Sequence, residues 1–187
     1  MAHDQRDYTW ETPPELWRGW RSLNGKWQGR VASIFIAPAP AADMVQVTEV
    51  RAFADRGLEG DRFYRGSWSA LKRPDKAVTL IEAETLAIAA AELGVESVAQ
   101  KSRRNIVTAG VPLVELLHRE FTVGGVRLRG IRLFEPCGHL VRISGLPGIF
   151  HALEHRSGLK AAIVSDGRIS VGDPIALHQE TQPAALA

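Results

Sequence analysis

Chemistry in this chain starts at Phe134-Glu135-Pro136-Cys137-Gly138-His139, which holds the one cysteine among 187 residues. Pro136 removes a backbone donor and fixes φ, and Gly138 admits backbone angles closed to other residues. The thiol is therefore expected on a bend, outside a regular ladder. An unpaired cysteine is most often a small buried hydrophobe. Here Arg132, His139 and Arg142 lie within five residues of it. Nearby cations favour the thiolate, the form that attacks electrophiles and binds metals. A single cysteine excludes an intramolecular disulfide framework and any all-cysteine zinc or iron-sulfur site made by this chain alone, and points to a reducing compartment.

Two other constellations invite chemistry. His151-Ala152-Leu153-Glu154-His155 reads His-x-x-Glu-His, an inverted zinc-protease pattern with two histidines one helical turn apart. The expected helix is short and no distant third ligand is evident, so a partly exposed helix end is the simpler reading. Cys137 with His139 would share a face if both lay on a strand, as a thiol-imidazole pair needs. No oxyanion motif or orienting third group accompanies them, which leaves His139 as a polar neighbour of the thiol.

The elements that must position these residues read mainly as strands. Residues 1 to 11 read as a disordered lead-in. Thr12-Pro13-Pro14-Glu15 is a capping-box pattern, and Leu16, Trp17, Trp20 and Leu23 follow at helical spacing. This tryptophan-rich helix is expected to lie across the body of the fold, a dimer contact or a lid being the alternatives. Val31 to Ile36 and Val45 to Val50 read as two strands joined by a Pro-Ala connection. A glycine-punctuated loop from Asp55 to Gly66 carries acids and arginines without the spacing of a phosphate loop. Ala77 to Ile81 reads as a buried strand, Glu82 to Leu93 as a helix stopped by Gly94, and Arg103 to Thr108 as the start of another strand. Pro112 opens a helical turn through Leu116. Val126, Leu128, Ile131 and Leu133 read as one alternating strand up to the cysteine. A short helix over Pro147 to His155 follows. Ala161 to Val164 and Ile169 to Val171 read as a hairpin about Asp166-Gly167, with Ile175 to Leu177 beyond it. Many short strands with regular turns and few helices predict a mainly β, α+β architecture: a β-barrel-like domain decorated by short helices.

Composition limits the partners. A hydrophobic content of 45% supports one sizeable core, and a net charge of +2 comes from cations scattered among acids. Neither nucleic acid nor a membrane surface is implied. No apolar run is long enough to span a bilayer, and Met1 to Asp7 is too polar for a signal peptide, so the cytoplasm is the expected compartment.

Gly57-Leu58-Glu59-Gly60-Asp61-Arg62, Lys76-Ala77-Val78-Thr79-Leu80-Ile81, Arg103-Arg104-Asn105-Ile106-Val107, Glu135-Pro136-Cys137 and Asp166-Gly167-Arg168-Ile169-Ser170-Val171-Gly172-Asp173 occur in an order that resembles the MOSC domain, named for the C-terminal domain of molybdenum-cofactor sulfurases. The resemblance runs from about residue 29 to 178. It leaves 1–28 as a tryptophan-rich helical extension and 179–187 as a tail. It implies a β-barrel built on one thiol, with Cys137 as catalytic residue and thiolate ligand of the molybdenum cofactor, a molybdopterin. Arg103 and Asn105, then Arg62, Lys76, Asp61 and His139, are the positions it implies for binding that cofactor, whose phosphate calls for arginine forks or amide nests. Members of the family that bind the cofactor reduce N-hydroxylated small molecules. Others are fused to a pyridoxal-phosphate cysteine desulfurase, for which this chain is too short, so no pyridoxal-phosphate site is expected. A separate electron-donor protein, or a separate cysteine desulfurase, is the expected partner. The alternatives are a sulfur carrier using a Cys137 persulfide and a non-catalytic cofactor carrier, and a homodimer is compatible with either.

Overall fold

Apolar residues at every second position, broken by Gly, Pro and Asp, make strands, and the computed structural model shows how they pair. It describes residues 27–54, 56–64 and 73–178. The helix expected over Thr12 to Leu23 and the tail beyond Gln179 lie outside the described residues. β1 (Gly29–Ile36) and β2 (Val45–Val47) form an antiparallel hairpin across the Pro-Ala connection, Ile34 opposite Val47. The run that begins at Val45 breaks at Thr48. β3 (Glu49–Phe53) then joins a separate three-stranded sheet with β4 (Gly57–Leu58) and β10 (Gly167–Ser170).

β5 (Val78–Glu82) feeds directly into α1 (Ala83–Leu93), which stops at Gly94 in the left-handed conformation. After α2 (Ala99–Ser102), β6 (Ile106–Ala109) returns parallel to β5, with Leu80 opposite Ile106. A parallel pair needs such a helical crossover. β7 (Glu120–Val123) and β8 (Val126–Leu133) are joined at Gly124-Gly125. α3 (Gly138–Ser144) and α4 (Ile149–Leu153) lead to β9 (Leu159–Ile163), and β11 (Pro174–Leu177) follows β10. The strands pair in the order β11-β7-β8-β9-β5-β6-β1, and Gly29 of β1 returns to Ile175 of β11. Seven strands thus close a barrel, and the mainly β, α+β architecture predicted from the sequence is the one observed.

Two apolar layers explain the burial. Val31, Ile34, Val78, Leu80, Ile106, Phe121, Leu128 and Leu159 fill the barrel. Phe35, Ile81 and Val107, one residue out of phase with them, face outward and pack with Leu86 and Ala89 of α1, Leu140 of α3, and Ile149 and Leu153 of α4. β5 is therefore buried on both faces, which is why it reads as a continuous apolar run.

Two expectations need correction. The Asp166-Gly167 signal does not close a hairpin with β9. β10 pairs with β3, Arg168 opposite Arg51, and Asp166 accepts a hydrogen bond from the Ala54 amide at 2.8 Å. The Asp side chain thus ties the turn to the second sheet. β8 does not alternate strictly either, because its register against β9 shifts between Gly130 and Arg132. That bulge moves the inward phase from Val126 and Leu128 to Leu133 and turns Arg132 to the outer wall.

Candidate functional site

Outward positions on β8, β9, β5 and β1, with Asn105 just before β6 linking the last two, make one row. Arg132 of β8 is opposite Lys160 of β9, and Lys160 is opposite Thr79 of β5. The Thr79 carbonyl accepts from the Asn105 amide at 3.0 Å, and the Asn105 carbonyl accepts from the Phe35 amide of β1 at 2.7 Å. Their inward neighbours, Leu133, Leu159, Ala161, Val78 and Leu80, belong to the barrel core, so period-2 alternation puts the polar row outside.

Cys137 stands above this row. It is exposed, adopts extended angles (φ −141°, ψ 165°), and caps α3, its carbonyl accepting from the Val141 amide at 3.3 Å. The expected bend is therefore a strand-to-helix corner. His139 lies inside α3, so the strand rule that would pair it with the thiol does not apply. Its Nδ1 instead meets Arg142 Nη2 at 3.0 Å.

A cavity of about 460 Å³ opens beside the thiol, and Arg62, Lys76, Arg103, Arg104 and Lys160 all line it, against Asp75 as the one carboxylate among the described residues. Cys137 and His139 also line it, so five of the residues singled out from the sequence converge there. Burial draws the guanidinium of Arg62 below its ordinary range, while Asp61 acts the other way. Lys76 is lowered too, by burial and then by Arg73. Arg103 adopts the left-handed conformation (φ 61°) that ends α2, and donates to the Ala42 carbonyl at 2.6 Å.

Asp61 and Asn105 lie behind this wall. Asn105 Oδ1 accepts from Thr79 N (3.2 Å) and Thr79 Oγ1 (2.8 Å), and its Nδ2 donates to the Phe35 carbonyl (3.2 Å) and Asp61 Oδ2 (3.1 Å). Asp61 also accepts from the amides of Ala37 and Phe63 and from Arg62. The pair clamps the Gly57–Arg62 segment to the barrel and aims Arg62. Both amide ends of Asn105 are used inside the protein.

Three cavity residues were not anticipated. Arg104, buried, lies 3.5 Å from the centre of the Phe134 ring and donates to the carbonyls of Ser157 (2.9 Å) and Ser102 (2.6 Å) and to the Ser157 hydroxyl. Burial pushes it down to about 9, the charges of Cys137 and Glu135 opposing, so it stays protonated at neutral pH. Lys160 also lies over the Phe134 ring, 4.4 Å from its centre, and 3.6 Å from Asp75 Oδ2. Burial, then the charge of Arg132, brings its ammonium down to about 8. Asp75 anchors the cluster. Burial disfavours its charge, but hydrogen bonds from Arg132 and Arg73 outweigh that and hold it at about 2. Lys160 had a sequence signal, being the one cation in Leu159-Lys160-Ala161-Ala162-Ile163.

The His-x-x-Glu-His stretch ends elsewhere. His151 has a largely exposed side chain 3.7 Å from Glu154, whereas His155 turns to Glu135, its amide donating to Oε2 at 2.9 Å and its Nδ1 meeting Oε1 at 3.0 Å. Among the described residues no group of three or more His, Cys, Asp or Glu side chains is placed to hold a metal ion. A metal here would need further donors from its own cofactor.

Comparison with known families now decides the lineage, because a MOSC domain signature matches residues 59–176. The chain belongs to the MOSC domain family. Solved structures agree in fold. The YuaD protein from Bacillus subtilis superposes with a TM-score of 0.64 at 16% identity, over 83% of this chain and 100% of that one. YiiM from Geobacillus stearothermophilus gives 0.65 at 17%, over 81% and 75%, and YiiM from Escherichia coli 0.61 at 19%, over 82% and 72%. No curated protein matches the chain by sequence. The MOSC match begins inside the Gly57–Arg62 segment and ends in β11, so β1 and β2 stand before it although β1 completes the barrel. No described helix is long and apolar enough to cross a membrane.

Proposed function

We propose that this MOSC protein binds the molybdenum cofactor and reduces N-hydroxylated small molecules, with Cys137 as the thiolate ligand of the metal. The observation that carries the reading is an exposed, soft sulfur donor at the rim of a cavity lined by five cations. A pterin dithiolene bearing a phosphate needs both: a polarisable protein sulfur for the metal and positive charge for the anion. Arg62, Lys76 and Arg103 would hold the phosphate and pterin side, braced by Asp61 and Asn105. Arg104 would supply fixed positive potential from below, and His139 would stand at the rim. When bound, the cofactor supplies two-electron chemistry that splits an N–O bond: R–NH–OH, two electrons and two protons give R–NH2 and water. The electrons come from a separate electron-carrier protein, and the cytoplasm is the compartment in which the thiol stays reduced. No pyridoxal phosphate is required.

Protein purified from a host that makes the cofactor is expected to carry molybdenum. Cys137→Ser should lose metal while keeping some pterin, because a hydroxyl is a harder and less readily ionised ligand. Arg103→Ala should lose pterin with the thiol intact. The exposure of Cys137 supports a second reading, a persulfide carrier. A gain of one sulfur at Cys137 after incubation with a cysteine desulfurase and cysteine, removed by dithiothreitol, in protein without molybdenum would favour the carrier and reject the reductase. Bound cofactor without turnover of any N-hydroxylated compound would leave a cofactor carrier.

A further inference from the structure

Arg103 lines two cavities. Besides the cation-lined one beside the thiol, it borders a smaller cavity of about 230 Å³ with Asp43 and Met44 ahead of β2, Gln100 and Lys101 of α2, and Ile143 of α3. Ile143 also lines both, so the two cavities adjoin at these side chains. Met44 ties them again, because its sulfur accepts from Arg62 Nη1 at 3.5 Å and Arg62 lines the larger one. The small cavity falls below the volume of a complete small-molecule site, as suits one end of a longer ligand.

The side chain of Arg103 is buried, the residue being only 7% exposed, and among the described residues it makes a single hydrogen bond, from Nη1 to the Ala42 carbonyl at 2.6 Å. A guanidinium carries five N–H groups, so a buried cation with donors to spare stands where the cavities meet. That position suits an anionic oxygen. The rest of the small cavity is not built for a bare anion. Asp43 puts a carboxylate there, and Asp43, Gln100 and Lys101 are exposed side chains that make no hydrogen bond or ion pair among the described residues. An ionised carboxylate only accepts, while an amide both donates and accepts. The buried Met44 and half-buried Ile143 supply apolar contact beside them. A phosphate followed by a flat, donor-rich group meets all of these at once. Among the bases, guanine fits: its Watson–Crick edge offers two adjacent N–H donors to a carboxylate and a carbonyl to an amide, whereas every other base sets an acceptor beside its donor.

We infer that the small cavity holds a guanine nucleoside whose 5′-phosphate sits at Arg103, so that the ligand spanning both cavities is a guanosine-bearing form of the phosphorylated cofactor. Asp43 accepts from the base edge, Gln100 donates to its carbonyl, and Lys101 adds positive charge for the phosphate. The inference rests on the proposed cofactor reading for what occupies the larger cavity. The nucleotide site itself rests on Arg103, Asp43 and Gln100.

The test is calorimetric titration of the full chain, made without cofactor, with guanosine, adenosine and cytidine 5′-monophosphates. Beside it stands mass spectrometry of the cofactor released from protein made in a host that supplies both the plain and the nucleotide-bearing cofactor, with molybdenum content measured on the same samples. Guanosine monophosphate should bind at least tenfold more tightly than the other two. Asp43→Asn, at an exposed position, should weaken it about tenfold and the other two less than twofold, because one charge-assisted bond to the base is lost. Arg103→Gln should weaken all three through the phosphate they share. The released cofactor should carry guanosine monophosphate. The inference is overturned if the wild-type chain does not distinguish the three nucleotides, if Asp43→Asn weakens all of them equally or none, or if the released cofactor carries no guanosine; in that last case bound molybdenum keeps the cofactor reading. Asp43-dependent binding of guanosine monophosphate with no molybdenum in any sample would overturn the cofactor reading while the nucleotide site stands.

Discussion

Glu82 should make this protein lose stability as pH rises through neutrality. It ends β5 at the start of α1, and its Oε1 accepts from the Leu113 amide at 3.2 Å. The residue as a whole is half-buried, but Oε2 is enclosed and has no hydrogen-bond partner among the described residues. Burial pushes the carboxyl up to about 7 from an ordinary 4.5; its own amide and that of Leu113 oppose this, and the charge of Glu84 adds to it. A folded carboxyl with raised proton affinity is protonated where the unfolded one is not, so folding takes up a proton between pH 4.5 and 7. The favourable contribution is full below pH 4.5 and is lost as pH climbs to and past 7. At about 1.4 kcal/mol for each tenfold change in affinity, the swing is at most about 3.5 kcal/mol. In urea that is about 1 to 3 M in midpoint. Glu82→Gln is neutral throughout and keeps the acceptor for Leu113. Urea unfolding of both proteins from pH 4.5 to 8.5 should show the difference between them moving steadily in favour of glutamine, then levelling. A difference that stays flat across that range would refute the argument, and one that moves in favour of glutamate would reverse its sign.

Asn105→Ala should lower stability by about 2–4 kcal/mol, read as a fall in melting temperature, because it strips Thr79 and Asp61 of buried partners at once. With Lys160 at about 8 and Arg104 at about 9, the cavity should bind sulfate well at pH 7 and roughly tenfold less at pH 9.5 by calorimetry; Lys160→Arg should remove the Lys160 share of that pH dependence and leave the Arg104 share, and Lys160→Met should weaken binding far more at pH 7 than at pH 9.5. Gly158→Ala should abolish soluble expression, since φ is 98° and a methyl group would collide with the Leu80 carbonyl oxygen, whereas Gly172→Ala, at a similar φ of 91° but in open space, should fold with about 1 kcal/mol less stability.

What the sequence made legible divides along one physical line: local pattern against long-range pairing. Alternation and glycine stops located β1, β5, α1 and the Cys137 corner, because side-chain period and left-handed caps depend on a few neighbouring residues. Asp166-Gly167 misled because that signal describes the turn and not the partner; β9 was already paired on both edges, with β5 and β8, so β10 had to find β3. The bulge in β8 was visible as a change of phase, with Val126 and Leu128 at even positions and Ile131 and Leu133 at odd ones, separated by Gly130. α3 was hidden because Gly138 reads as a breaker, although it stands at the first position of the helix that Cys137 caps.

The same division runs through the site. Arg62, Lys76, Arg103, His139 and Cys137 came from motifs, and the fold brings all five to one cavity. Arg104 stood inside one of those motifs unread, because nothing local says which of two adjacent arginines turns outward. The left-handed geometry at Arg103 sends the two side chains apart: Arg103 reaches the Ala42 carbonyl, and Arg104 goes beneath Phe134. Lys160 comes from a strand 84 positions after Lys76 and enters only because β9 pairs with both β5 and β8. Each of these cations is costly to bury, and each is compensated by a different element: Arg104 by serine oxygens and an aromatic face, Lys160 by Asp75, and Arg62 by Asp61. Those three compensations leave a surplus of positive charge facing the cavity beside the exposed Cys137 thiol, and that surplus is what the proposed binding of an anionic cofactor with affinity for sulfur rests on.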